Sequence, residues 1–124
     1  MPAQPLRLLL VDDEQGFVNV LCKRFTKRGF DVVTALSGSE AIHALREQDF
    51  DVCVLDLKME DMDGIEVLKV LKKMSPDLPV IFLTGHGSER AAIEGLRFGA
   101  TDYLMKPCDF EALQARVLKA AGRD

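Results

Sequence analysis

Three aspartates sit where side-chain charge could do chemistry. The apolar run Leu8-Leu9-Leu10-Val11 stops at Asp12-Asp13-Glu14, and the run Val52-Cys53-Val54-Leu55 stops at Asp56. Two further strand-like runs end in Thr84 and in Lys106-Pro107. If the runs are parallel strands of one sheet, their ends share an edge and these polar residues converge. Carboxylates held so close repel one another, and one keeps a proton through a raised pKa unless a cation intervenes. Mg²⁺ suits such a place, because it takes a few carboxylate oxygens, keeps several waters and accepts phosphate oxygens. A carboxylate there can attack phosphorus and become an acyl phosphate, in a transfer governed by positioning and charge neutralisation. Asp56 is the expected nucleophile, since a lone charge directly ending a buried strand is costly without such a purpose. Lys106 would supply a mobile cation for the phosphoryl oxygens. Thr84 would supply a hydroxyl donor to the same group.

These ends meet only if the segments between them fold in a particular way. Strands are predicted at Arg7–Val11, Asp31–Ala35, Val52–Leu55, 80–83 and Asp102–Met105. Three of them are continuously apolar, as strands covered on both faces are. Helical spacing intervenes. Phe17, Leu21 and Phe25 recur every fourth residue, and Ala41 and Leu45 do so within 39–47. Ile65, Leu68, Leu71 and Lys72 fall in Gly64–Met74, Ala92, Ile93 and Leu96 mark 88–98, and Phe110, Leu113 and Val117 mark 109–121. In each segment the apolar members share one helix face. Gly29, Gly99 and Gly122 stand where C-terminal caps stand. Ser37 or Ser39 is a candidate cap for the second helix and Asp109 for the fifth, while Ser75-Pro76 stops the third. Five βα units in strict alternation predict a doubly wound parallel sheet with helices on both faces, a three-layer α/β/α sandwich of strand order 2-1-3-4-5. Ligands of such sheets bind beyond the carboxyl ends of the strands, at the switch point between the first and third.

Composition narrows the function classes. The 124 residues are 48% hydrophobic and 29% charged, with no low-complexity stretch, which fits one compact domain and argues against disorder. A net charge of −4 without a basic stripe argues against direct nucleic-acid binding. The apolar run at 8–11 is too short for a signal-peptide core or a membrane span, which points to the cytoplasm. Cys22, Cys53 and Cys108 are widely spaced with no CxxC pair, so reduced thiols are expected rather than a zinc or redox site.

The stretches Val11-Asp12-Asp13-Glu14, Leu55-Asp56-Leu57-Lys58-Met59 with Asp63-Gly64, Leu83-Thr84-Gly85-His86-Gly87, and Gly99-Ala100-Thr101-Asp102-Tyr103-Leu104-Met105-Lys106-Pro107 together form a specific signature. Along its whole length the chain resembles the receiver domain of two-component response regulators, whose fold is flavodoxin-like. The resemblance implies that Asp56 takes a phosphoryl group from a phosphohistidine on a sensor histidine kinase or phosphotransfer protein. It implies Mg²⁺ ligands at Asp13 and Asp56, a contribution from the main-chain carbonyl of Lys58, and Asp12 acting largely through bound water. It also implies a cis peptide between Lys106 and Pro107. On phosphorylation Thr84 would move toward the phosphoryl group and Tyr103 would turn inward. The face of the fourth helix, fifth strand and fifth helix would then change shape and recruit a downstream target, an attached output domain or a second copy. Such a module assists its own phosphorylation and dephosphorylation and turns over no metabolite. Residues 1–124 would be one receiver domain, either alone or as the N-terminal part of a longer regulator.

Taken singly, each residue has a plainer reading. Asp12, Asp13 or Glu14 could be a helix-start acid, Thr84 a strand residue, Lys106 a solvated lysine, and Tyr103 a half-buried strand aromatic. Their joint placement favours the chemical reading. A haloacid-dehalogenase-type phosphohydrolase wants an aspartate two residues beyond its nucleophile, where this chain has Lys58 after Asp56 and Glu14 after Asp12. A flavodoxin-like FMN binder is disfavoured by the acidic Asp12-Asp13-Glu14, and a phosphorylation-independent pseudo-receiver by the complete residue set. Glu60 stands where receivers often have proline, which predicts a more acidic loop that modulates Mg²⁺ affinity or phosphoryl lifetime. Lys58 and His86 lie where they could border the pocket, with a plain surface position as the default for each, and His43 reads as structural or exposed.

Overall fold

The computed structural model describes residues 4–85 and 88–123. Strands and helices alternate as β1 (Arg7–Val11), α1 (Gln15–Lys27), β2 (Asp31–Ala35), α2 (Gly38–Glu47), β3 (Val52–Leu55), α3 (Gly64–Met74), β4 (Val80–Thr84), α4 (Glu89–Arg97), β5 (Asp102–Met105) and α5 (Phe110–Ala120). All pairings are parallel and the order is β2-β1-β3-β4-β5, as the alternation predicts. Residues of β1, β3 and β4 are almost wholly buried, which explains their unbroken apolar sequence. One face of the sheet packs Leu9, Cys53, Leu55 and Phe82 against Ala41, Leu45, Val67, Leu68, Leu71 and Ala92 of α2, α3 and α4. The other packs Leu8, Leu10, Val54 and Ile81 against Leu21 and Phe25 of α1 and Phe110, Leu113 and Val117 of α5.

The helix ends follow local chemistry. Ser37, not Ser39, caps α2: its Oγ accepts from the N–H of Glu40, and the Glu40 carboxylate accepts from the N–H of Leu36 at 3.1 Å. The pair is a variant of the capping box in which the carboxylate reaches one residue before the cap. Gly29, Gly99 and Gly122 all have positive φ, the backbone region that glycine enters without penalty. Asp109 precedes α5 with extended backbone but makes no side-chain cap, so this expectation fails.

Two differences bear on function. Thr84 is the last residue of β4 rather than the first beyond it, so its side chain is held by the sheet ladder. In α4 only Ala92 and Gly95 are buried, whereas Ile93 and Leu96 are exposed, together with Phe98 just past the helix. Of the apolar residues expected to face the core from α4, Ala92 does so, while Ile93 and Leu96 turn outward. The reason is close approach: a Cβ on Gly95 would stand 2.3 Å from Cε2 of Phe82, so α4 lies on β4 with room for a hydrogen alone. The larger residues of α4 have no space beneath them.

Candidate functional site

Register brings the acids together. Leu8 to Val11 of β1 pair with Val52 to Leu55 of β3 in step, so the next residues, Asp12 and Asp56, emerge side by side. The N–H of Asp56 donates to the Val11 carbonyl and that of Asp12 to the Ala35 carbonyl, fixing both chains as they leave the sheet. Asp12, Asp13 and Asp56 each offer a carboxylate oxygen within 4.8 Å of the other two. Asp12 and Asp56 are buried and Asp13 is exposed, so the trio opens to solvent on one side. An all-oxygen donor set of this size suits a hard divalent cation.

The surrounding groups are as specific. The Thr84 hydroxyl donates to Asp56 Oδ1 at 3.2 Å, and the N–H of Lys58 approaches the same oxygen at 3.4 Å. Burial, and then the charge of Asp12, push the Asp56 carboxyl above its ordinary value, against the pull of Lys106, the Lys58 N–H and Thr84. Burial is thus the chief cost of holding this carboxylate charged. Lys106 is joined to Pro107 by the expected cis peptide. Its Nζ lies 2.6 Å from Asp12 Oδ2 and 4.3 Å from the centre of the Phe17 ring. Its ammonium is thus held on Asp12 rather than on Asp56. The other Asp12 oxygen accepts from the Glu14 N–H at 3.0 Å, so both are already engaged.

The loop from Asp56 to α3 is tightly drawn. Gly64 N–H donates to the Leu57 carbonyl, Lys58 bridges to Asp63, and the Asp63 carboxylate caps α3 at Ile65. A Cβ on Gly64 would meet Leu57 Cα at 2.5 Å and the Asp56 carbonyl oxygen at 2.7 Å, so the glycine is required by close approach. Glu60 is exposed and lines a cavity of about 480 Å³ with Asp13, Glu14, Leu36, Ser37 and Asp61. The Lys58 side chain is exposed beside it. Tyr103 on β5 is half-buried and pairs with Phe82 of β4, two register steps before Thr84 and Met105 close the ladder. His43 is exposed, 3.9 Å from Glu47, and His86 lies outside the described residues. The Cys53 thiol is fully buried and its pKa is pushed far up by that burial. That of Cys108 is raised by burial and by Asp109, so neither is poised to react at neutral pH.

Three features escaped the sequence, the first two of them beside the site. Phe17 was read as core, yet its ring lies against Lys106. Asp61 carries no local sign of its partners, which are on α2. Ser88 begins α4 with a buried hydroxyl that has no hydrogen-bond partner among the described residues. Only Ser88 had a signal, its place before a helix.

A doubly wound parallel sheet with a carboxylate trio at its switch point, flanked by a hydroxyl and a lysine from the next two strands, defines a phosphoryl- or metal-handling α/β domain. The response regulator receiver domain model matches residues 8–118, and the chain belongs to that family. It is 42% identical over 113 residues to the transcriptional regulatory protein ZraR of Escherichia coli K12, covering 91% of this chain and 26% of that protein. It is 41% identical, with the same coverage, to the transcriptional regulatory protein GlrR of the same organism. The chain thus spans about a quarter of the length of these relatives. Among solved structures, a response regulator receiver domain protein from Clostridium thermocellum superposes with a TM-score of 0.90 at 32% identity, covering 94% of each chain. Membership of this family does not favour the phosphohydrolase or the pseudo-receiver. No helix among the described residues is long and apolar enough to cross a membrane.

Proposed function

We propose that Asp56 accepts a phosphoryl group in a Mg²⁺-dependent reaction and that the phosphorylated domain signals through the surface around α4. The observation that carries this reading is the convergence of Asp12, Asp13 and Asp56 within 4.8 Å, with Asp56 electrostatically uncomfortable as it stands. Asp13 and Asp56, with the Lys58 carbonyl, would hold the ion, and Asp12 would act through water, a role supported by the prior engagement of both its oxygens. The ion would neutralise the trio and the equatorial phosphoryl oxygens.

The chain's own groups account for the rest. An Asp56 oxygen forms the O–P bond while the P–N bond to a donor phosphohistidine breaks. The bond's electron pair returns to the imidazole, which takes a proton from solvent. Thr84, already donating to Asp56, would transfer its O–H to a phosphoryl oxygen, and Lys106 would exchange Asp12 for the same group. Withdrawal of Thr84 opens space toward which Tyr103 turns. The exposed Ile93, Leu96 and Phe98 supply an apolar surface for a target, an output domain or a second copy. The relatives are transcriptional regulatory proteins, which favours transcriptional control exerted by segments other than this domain. The domain itself, with net charge −4, would touch protein rather than nucleic acid. The domain would work in the cytoplasm, with a sensor histidine kinase or phosphotransfer protein as its donor. The test is acyl phosphate formation from phosphorylated kinase or acetyl phosphate with Mg²⁺. The wild type is expected to label and Asp56→Asn not to; full labelling of Asp56→Asn would overturn the assignment.

A further inference from the structure

The loop that follows Asp56 is gripped from outside the pocket. Asp61 Oδ1 accepts from the N–H of Gly38 at 2.9 Å. Its Oδ2 accepts from the N–H and the hydroxyl of Ser39, each at 3.0 Å. With Ser37 serving Glu40, every N–H of the first turn of α2 is satisfied, two of them by a residue 22 and 23 positions away. These two amides hold the Asp61 carboxyl below its usual value, as expected for a charge-assisted contact at a positive helix end. Packing tightens the same junction: a Cβ on Gly38 would stand 2.9 Å from Met62 Sδ and 2.8 Å from Val67 Cγ2.

The tether works against a specific force. Glu60 and Asp61 of the loop line one cavity with Asp13 and Glu14, beside the Asp12 and Asp56 carboxylates, and no lysine or arginine is among the residues lining it. Without an ion, like charges drive the loop outward, and the Lys58 carbonyl leaves with it. Asp63 caps α3, the helix that the loop enters, whereas Asp61 spends its charge on the N-terminus of a different helix, α2. We infer that Asp61 is a positioning residue for phosphoryl transfer: bound to the start of α2, it holds the 57–63 loop in place for Mg²⁺ binding. The inference rests on the proposed phosphoacceptor reading and deepens it.

The experiment measures initial rates of acetyl phosphate labelling against Mg²⁺ concentration for wild type, Asp61→Ala, Asp61→Asn and Ser39→Ala, with urea melts in parallel. For Asp61→Ala the half-saturating Mg²⁺ concentration should rise about fivefold, the factor expected from losing one capping interaction. Its rate at saturating Mg²⁺ should return near the wild-type value, because the ion restores the loop. Asp61→Asn, which keeps one acceptor oxygen, should fall between, and Ser39→Ala, which keeps both amide contacts, should shift least. An unchanged half-saturating concentration in Asp61→Ala, or a fall in the saturated rate alone, would overturn the inference. Failure of the wild type to label at any Mg²⁺ concentration would instead remove the phosphoacceptor reading itself.

Discussion

Alanine at Gly64 and alanine at Gly16 should move stability in opposite directions, although both glycines lie in the first turn of a helix. Neither has positive φ, so alanine fits both backbones. At each position alanine gains about 0.5–1 kcal/mol from helix propensity and from a less flexible unfolded chain. Around Gly16 nothing lies within 4 Å of the added Cβ, so the gain stands alone. At Gly64 the Cβ meets three backbone atoms, Leu57 Cα at 2.5 Å, the Asp56 oxygen at 2.7 Å and the Leu57 oxygen at 2.8 Å. Backbone cannot swing aside as a side-chain tip can, so the cost belongs near the top of the range of about 1–3 kcal/mol for overpacking. The net loss is about 2 kcal/mol, a fall in melting temperature of roughly 8 °C for a domain of this size. The atoms displaced include the acceptor's own carbonyl, so the initial phosphorylation rate should fall as well. Urea melts of both variants, with Mg²⁺-dependent labelling, test the point. Gly64→Ala within about 0.5 kcal/mol of wild type, and labelling normally, would refute the close-approach argument.

Other outcomes follow from the site. In the folded state the Asp56 carboxyl is raised, so its contribution to stability is complete below the ordinary carboxylate pKa of about 4 and is lost as pH rises toward the folded value. With chelator present, Asp56→Asn should therefore be more stable than wild type at pH 7 and lose that advantage below about pH 4; parallel melts across that range that keep a constant gap would count against it. Lys106→Met should lower stability by about 1–3 kcal/mol in urea melts, since it leaves the buried Asp12 carboxylate without its 2.6 Å partner. The same change should tighten Mg²⁺ in calorimetric titration, because a competing cation is gone. Glu60→Pro removes one charge from the cavity shared with Asp13 and should weaken Mg²⁺ about twofold, the scale of one exposed like-charge neighbour; unchanged Mg²⁺ affinity and dephosphorylation rate would show Glu60 to be idle.

The sheet and its site were largely legible because they are written in local terms. Apolar runs of four or five residues ending in Asp12, Asp56, Thr84 and Lys106 give both the strands and the edge on which they end. What escaped depends on approach between segments far apart in sequence. Asp61 resembles any loop acid until Gly38 and Ser39 arrive beside it, and Phe17 resembles any core aromatic until Lys106 lies on it. The reading of α4 failed for a related reason. Ile93 and Leu96 have the spacing of a core face, but only the contact of Gly95 with Phe82 reveals which side of the helix meets the sheet.

Tyr103 has a practical consequence. The chain has no tryptophan and one tyrosine, and that tyrosine sits half-buried on β5, paired with Phe82 and two residues short of the pair formed by Thr84 and Met105. Light absorbed near 280 nm and re-emitted by the unlabelled domain therefore comes from a single side chain beside the pocket. The sequence has, in effect, a built-in optical probe at the residue expected to move, readable in the native protein without substitution or dye.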